Sequence, residues 1–242
     1  MVKLLYDSGL NRLSISLDSL NEQTHDTIRG KAGSYSRVMR ALEYLSKFTS
    51  WNSEEFKICI QTIIMQDNVK DIIKLADWVQ NSAVLCSINY MAIAEPFYIP
   101  PDVLHWHKRA AYKALWPQDT AEVCTVIDEL IRLKTQGGYW KITNSISQLK
   151  AFKFYFENPE RFVKKNNCGL GDYSLNINYN GDATFCYQLG NIGNLYKDNI
   201  KDMWHSDKAL QLRQKMKQCS KNCNFLINCS GTDISDESEL II

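Results

Sequence analysis

The sequence predicts an α/β fold, a partial (β/α) barrel with parallel strands followed by a small cysteine-rich extension that contains a β-hairpin. Three observations carry this reading. Strand and helix patterns alternate through the first 95 residues, a Pro-rich break follows at EPFYIPPD (95–102), and five of the eight cysteines fall between residues 168 and 229. The expected division is a partial barrel over residues 1–140 and a cysteine-rich domain over 141–242.

The elements follow in order. RLSISLD (Arg12–Asp18) alternates Leu13, Ile15 and Leu17 with Ser14, Ser16 and Asp18, the period of a strand. After a polar loop, SYSRVMRALEYLSK sets Val38, Leu42 and Leu45 on one helical face, with Ser34 or Ser36 as the expected cap. FKICIQTIIM (Phe56–Met65) is the second strand, Asn68 opens a helix with Val69, Ile72, Ile73 and Ala76 inward, and VLCSINYMAIA (Val84–Ala94) is the third strand. Crossovers long enough to hold helices make neighbouring strands parallel. Strands buried on both faces are usually apolar throughout. These offer Ser14, Ser16 and Asp18, then Lys57, Gln61, Ser87 and Asn89, which in a barrel are lumen positions near the ends where sites form. The plainer alternative is that such groups satisfy backbone at strand ends.

Beyond the break, VLHWHKRAAYKALW and TAEVCTVIDELIRLKTQGG read as helices, the second stopping at Gly137-Gly138. SLNINYNGDATFCY places Asn180-Gly181 between two alternating runs, the signal of a hairpin with a two-residue turn. His105 and His107 stand two apart, so on a helix they face different ways and make a poor metal pair. The aromatics of KAFKFYF read as packing, and P-loop, dinucleotide-glycine and G-x-S-x-G motifs are absent.

The formal charge of +1, from 28 basic and 27 acidic residues, argues against a nucleic-acid footprint or a membrane-surface protein. MVKLLYDSGLNRL lacks the apolar core of a signal peptide and no run reaches membrane-span length, so a cytoplasmic location is expected. Thiols stay reduced there, which turns a cysteine cluster toward metal or redox chemistry. Cys59, Cys86 and Cys124 sit in apolar patterns and read as small core residues. Cys168 and Cys186 flank the hairpin as C-x12-G-x4-C, and Cys219-x3-Cys223-x5-Cys229 follows a helical stretch at 201–217. Four such thiolates suit an iron–sulfur cluster or a tetrahedral zinc, and ligand softness does not choose between them.

GLNRLSISLDSLNEQTHDTIRGKAGSYSRVMRALEYL resembles the middle of a radical SAM enzyme, where a strand ending in S-x-D leads through a polar loop and I-R-G to a helix. The run from Cys168 through Gly181, Cys186, GNIGN, Trp204 and Cys219 to Cys229 is similar to the SPASM or shorter twitch extension of that family. The resemblance implies S-adenosylmethionine cleaved on an open [4Fe–4S] cluster, with the hard chemistry belonging to the cofactor. It implies Ser16 and Asp18 as contacts to S-adenosylmethionine, Arg29 or Arg37 toward its carboxylate, and Gln61 and Asn89 as further lumen contacts. For the extension it implies an auxiliary [4Fe–4S] cluster on Cys168, Cys186, Cys219 and Cys223, with Cys229 a spare or alternative ligand, or two incompletely ligated sites with Asp233 completing one.

The sequence departs from the family in two ways. No three cysteines have the C-x3-C-x2-C spacing of the radical-generating loop, so the chain resembles the C-terminal part of such an enzyme: a fragment, a split product or a remnant. A second [4Fe–4S] cluster is expected only where an N-terminal part is supplied, and the partners expected are that half or a peptide or protein substrate. The extension also departs from the full SPASM pattern C-x2-C-x5-C-x3-C with a later cysteine: its first gap is three, Asp233 stands at the next ligand position and no cysteine follows in the sequence. The rival expectation is a non-catalytic binding or scaffold module held by iron–sulfur or zinc.

Overall fold

The computed structural model describes residues 4, 7–50, 53–54, 56–94, 106–159, 168–219 and 227–228. They fall into two compact units, one holding the described residues up to 94, residues 106–159 and residues 227–228, and the other residues 168–219.

In the first unit, β1 (Arg12–Ser16), β2 (Lys57–Ile64) and β3 (Leu85–Ala92) form a parallel sheet in sequence order. Two helices join β1 to β2. The first, α1 (Glu22–Arg29), lies in the stretch that sequence pattern left as a polar loop: Asn21 caps it through Thr24 N, and Gly30 closes it in the left-handed region. Its only buried residue is His25, so the stretch carries too little apolar periodicity to be recognised. The second, α2 (Ser34–Leu45), starts after Gly33, and neither Ser34 nor Ser36 caps it. Asp26 of α1 does that work, accepting from Gly33 N and from Tyr35 N at 2.8 Å.

A single 3₁₀ turn (Val69–Asp71) and α3 (Ile72–Gln80) connect β2 to β3. Ile58, Ile60, Ile64, Ile72, Leu75, Val79, Ile88 and Tyr90 are fully buried between sheet and helices. A parallel sheet covered this way on one face leaves the other to be filled or used. The region read as a first helix after the break is shorter than expected, a 3₁₀ turn (Trp106–Lys108) and one α-turn, α4 (Ala110–Lys113). Trp106, His107 and Trp116 point inward here, with the His107 ring 4.8 Å from that of Trp116, so the segment's spacing is set by ring packing. His105 lies outside the described residues.

The long helix α5 (Thr120–Gln136) and the helix α6 (Ile146–Glu157) pack on each other, burying Val123, Ile127 and Leu130 with Leu149, Phe152, Tyr155 and Phe156. Residues 141–162, assigned on sequence to the extension, group with the first unit because of this apolar face.

The outer edge of β3 is covered. Ile88 exchanges backbone hydrogen bonds with Lys141 O and Thr143 N. Two residues on, the Asn144 amide pairs with both backbone groups of Tyr90, and two further, Asn228 does the same with Ala92, all at 2.8 Å. Side-chain amides thus continue the ladder at the β3 edge where main chain stops, while β1 forms the opposite edge of the sheet.

The second unit is a small antiparallel sheet, β4 (Asn176–Ile177), β5 (Asp182–Thr184) and β6 (Gly193–Asn194), with a short helix α7 (Leu170–Tyr173) and helices α8 (Ile200–His205) and α9 (Asp207–Lys217). The hairpin is present, but its loop has three residues. Asn178 N donates to Asp182 O and Gly181 N to Asn178 O, with Gly181 at φ +79°. This is a turn closed by a left-handed glycine bulge rather than the two-residue turn expected. Arg213 ties the unit together: its guanidinium lies 4.5 Å from the Phe185 ring and 4.6 Å from that of Trp204, while Nε donates to Gly171 O and Nη1 to Trp204 O. Gly193 is required by contact, since a Cβ there would sit 2.4 Å from Met203 Sδ.

Candidate functional site

Residues two apart on a strand share a face, and the sheet register turns that rule into rows. Ser16 pairs with Gln61 and Gln61 with Asn89, so three residues predicted separately form one polar row across all three strands, at the carboxyl end of β1 and midway along β2 and β3. The row behind it is Ser14, Cys59 and Ser87, and behind that Arg12 faces Lys57. Ser14 and Ser16 are exposed, and Gln61 and Asn89 half-buried. Gln61 Nε2 donates to Met91 Sδ at 2.6 Å, and Asn89 Oδ1 accepts from Thr143 Oγ1 at 3.2 Å. The opposite face carries the fully buried Ile58, Ile60, Ile88 and Tyr90; on the polar face Cys59 and Ser87 are buried and Ser14 and Ser16 exposed.

Asp18 has a different setting. It is fully buried just past β1, with its carboxylate 2.6 Å from Arg29 Nε, and its backbone N–H donates to His25 Nδ1 at 3.2 Å. Asn68 Nδ2 donates to Asp18 O and Ile63 O while its Oδ1 accepts from Met65 N. Asn68 therefore does not cap a helix as its sequence position suggested; it ties the β1 end to the β2 end. His25 accepts at Nδ1, so its proton sits on Nε2 in the neutral tautomer, and burial holds its pKa below the usual imidazole value. Arg29 is thus engaged by Asp18, and Arg37 donates to Ala32 O at 2.8 Å on the surface. The structure gathers Ser16, Gln61 and Asn89 in one row, sets Asp18 and Arg29 together, and places Arg37 apart.

In the extension, Cys168 and Cys186 both pack against the core formed by Ala183, Phe185, Ile192, Met203, Ala209, Leu212 and Met216. Cys186 is held by its backbone, N to Thr184 Oγ1 at 3.1 Å and O from the same hydroxyl at 2.8 Å. Cys219 follows α9, its N donating to Met216 O at 3.1 Å. All three are half-buried thiols outside any disulfide. Cys223, Cys229 and Asp233 lie outside the described residues, and among the described residues no three His, Cys, Asp or Glu side chains gather as a metal-binding group. The donor chemistry suits a soft metal or iron–sulfur cluster, and two of the three thiols, Cys168 and Cys186, pack on one small core.

One cluster of reactive side chains was missed on sequence. Cys59 is buried as expected, but Cys86 is half-exposed and its Sγ lies 3.3 Å from that of Cys59. Periodicity places Cys59 with Gln61; it gives no warning of the strand irregularity that brings Cys86 beside it.

A parallel α/β unit with a polar row across its sheet, and a small unit carrying Cys168, Cys186 and Cys219, define an α/β protein with a cysteine-bearing appendage. Residues 1–79 match the radical SAM superfamily model, and residues 168–230 match that of the SPASM iron–sulfur cluster-binding domain. Two curated relatives are AdoMet-dependent heme synthases. That of Methanosarcina barkeri (strain Fusaro / DSM 804) is 34% identical over 74 residues, 31% of this chain and 20% of the relative. That of Oleidesulfovibrio alaskensis (strain ATCC BAA-1058 / DSM 17464 / G20) is 35% identical over 74 residues, 29% and 18%. Streptococcus suis SuiB bound to S-adenosylmethionine superposes with TM-score 0.56 at 16% identity, over 100% of this chain and 55% of SuiB. A second SuiB structure gives 0.56 at 15% identity over the same shares. This likeness shows the fold, and the chain spans only these fractions of its relatives' lengths. No described helix is long and apolar enough to cross a membrane.

Proposed function

We propose that this chain forms the distal part of a radical SAM/SPASM enzyme, holding an auxiliary [4Fe–4S] cluster and contributing one wall of an S-adenosylmethionine site. The observation that carries the reading is the row Ser16–Gln61–Asn89, which runs from the carboxyl end of β1 across the polar face of a parallel sheet. Ligands of α/β barrels meet such faces at the carboxyl strand ends. Ser16, Gln61 and Asn89 offer hydroxyl and amide groups to the polar parts of the cofactor. Asp18 and Arg29, with His25 and Asn68 behind them, hold the loop that borders the row; with Arg29 committed to Asp18, Arg37 is the cation left for a ligand carboxylate. Cys168, Cys186, Cys219 and Cys223 would hold the auxiliary cluster, with Cys229 as the alternative ligand. When bound, the cluster supplies one-electron transfer or a point of substrate attachment; the protein orients it and limits access of water. The substrate class is a peptide, protein or small molecule, and the C-x3-C-x2-C cluster comes from an N-terminal segment or partner chain.

A second reading is favoured by one fact: the 242 residues contain no C-x3-C-x2-C. It makes this chain a non-catalytic module whose metal, iron–sulfur or zinc, holds the tail. Anaerobic reconstitution separates the two at the metal. Four iron and four sulfide per chain with visible charge-transfer absorption, lost in Cys186→Ala, supports the cluster; zinc alone supports the module. Equilibrium binding of S-adenosylmethionine, weakened by Gln61→Ala or Asn89→Ala with an unchanged fold, tests the site, and binding unaffected by both would overturn it.

A further inference from the structure

Cys59 lies in β2 and Cys86 near the start of β3, with Sγ atoms 3.3 Å apart. The approach comes from a register shift. Ile58 pairs with Leu85, but Cys59 pairs with Ser87, leaving Cys86 as the extra residue on its strand. In a regular strand Cys86 and Ser87 would face opposite ways; the bulge re-aims Cys86, and its Sγ reaches both Cys59 Sγ and, at 3.7 Å, Ser87 Oγ. Neighbouring strands lie about 5 Å apart, inside the roughly 4.4–6.8 Å between Cα atoms that a disulfide spans. The two sulfurs are therefore already placed for a bond that needs little backbone movement. The surroundings also favour a thiolate. The hydrogen bond from Cys86 holds Cys59 below the usual thiol range, against the effect of burial, with Ser87 and Arg12 adding to the shift. Cys86 is half-exposed, so a small oxidant meets the pair from the polar face of the sheet.

We propose that Cys59 and Cys86 form a redox-active dithiol that a peroxide converts to a reversible cross-strand disulfide. A thiolate of the pair attacks a peroxide oxygen, the O–O bond breaks, and with one proton taken up water leaves, giving a sulfenic acid. The partner thiol displaces it: the S–S bond forms, the S–O bond breaks and a second water leaves. Both sulfurs are oxidised by one electron each and the peroxide is reduced to two waters. The link would lie one row behind Gln61 and Asn89, locking β2 to β3 on the polar face. This site rests on the sheet geometry and is independent of the cysteines of the extension.

The test uses the full chain, reduced, freed of reductant under anaerobic conditions and exposed to a few equivalents of hydrogen peroxide. It is then alkylated and mapped by peptide mass spectrometry. The expected result is a Cys59–Cys86 linked peptide, both residues protected from alkylation and both recovered with dithiothreitol. In Cys86→Ser, Cys59 should instead be trapped by dimedone as a sulfenic acid. A second measurement uses the unaltered chain and so does not depend on a variant's folding: phenylarsine oxide, which bridges paired thiols, should protect Cys59 and Cys86 together. Cys59 and Cys86 both remaining alkylatable after peroxide, or an arsenical that protects neither, would overturn the proposal.

Discussion

Arg29 Nε lies 2.6 Å from the carboxylate of Asp18, which is completely buried at the end of β1, while the arginine side chain keeps a third of its exposure. The pair joins α1 to the strand that carries Ser16, so removing the cation leaves a buried charge in place. Arg29→Ala should lower unfolding free energy by roughly 2–4 kcal/mol, toward the smaller figure because the arginine is partly solvated. Arg29→Ala with Asp18→Asn should lose less than Arg29→Ala alone, and urea unfolding of the four chains measures the coupling.

His25 gives a pH dependence of definite sign. Burial, opposed by Asp18 and reinforced by Arg29, holds its folded pKa below the unfolded value. Between those two values the unfolded state binds more protons, so stability is full above about pH 6.5 and falls as pH drops below it. Unfolding midpoints from pH 7.5 to 5 should decline in the wild type and decline less in His25→Gln. An equal decline in both would remove His25 as the cause.

Asn144 stands in for a strand beside Tyr90. Alanine there strands one buried N–H and one buried C=O, and should cost about 2–4 kcal/mol. Asn144→Asp should cost nearly as much, since a carboxylate cannot donate to Tyr90 O. Hydrogen exchange at Tyr90 N, now protected by Asn144 Oδ1, should rise by at least tenfold in both variants.

Arg213 combines two ring contacts with two backbone hydrogen bonds in the second unit. Lysine keeps the charge and loses the planar fork, so Arg213→Lys should destabilise this unit by about 1–3 kcal/mol. Trp204 fluorescence reports the change, and a spectrum and midpoint like the wild type would count against this role.

This chain by itself should not cleave S-adenosylmethionine reductively, because none of its cysteines has the required spacing. Chromatographic assay for 5′-deoxyadenosine with a strong reductant checks this. Product above the no-protein control would mean that another set of thiols supports the open cluster. Supplying an N-terminal segment with C-x3-C-x2-C should restore cleavage.

Much of the fold was legible because it rests on local period. The three strands, α2, α3 and α5 announce themselves through apolar alternation or apolar faces, and the hairpin through Asn180-Gly181. α1 was not, since seven of its eight residues are polar and capping is the signal left, and α4 was overestimated because ring packing around Trp116 decides its course. The hairpin loop length also escaped, because Asn178 and Asp182 add a backbone pair that dipeptide preference does not encode.

What the sequence alone determined is the alternation of parallel strands and helices, the count and spacing of thiols, and the absence of a C-x3-C-x2-C loop. These depend on residue order and short-range period. Only the tertiary structure decided that Ser16, Gln61 and Asn89 share a row, that Asp18 is sealed by Arg29, that Asn144 and Asn228 close the β3 edge, and that Cys86 meets Cys59. Each of these joins residues at least 11 positions apart and turns on strand register or one bulge, where a slip of a single residue reverses which side chains meet.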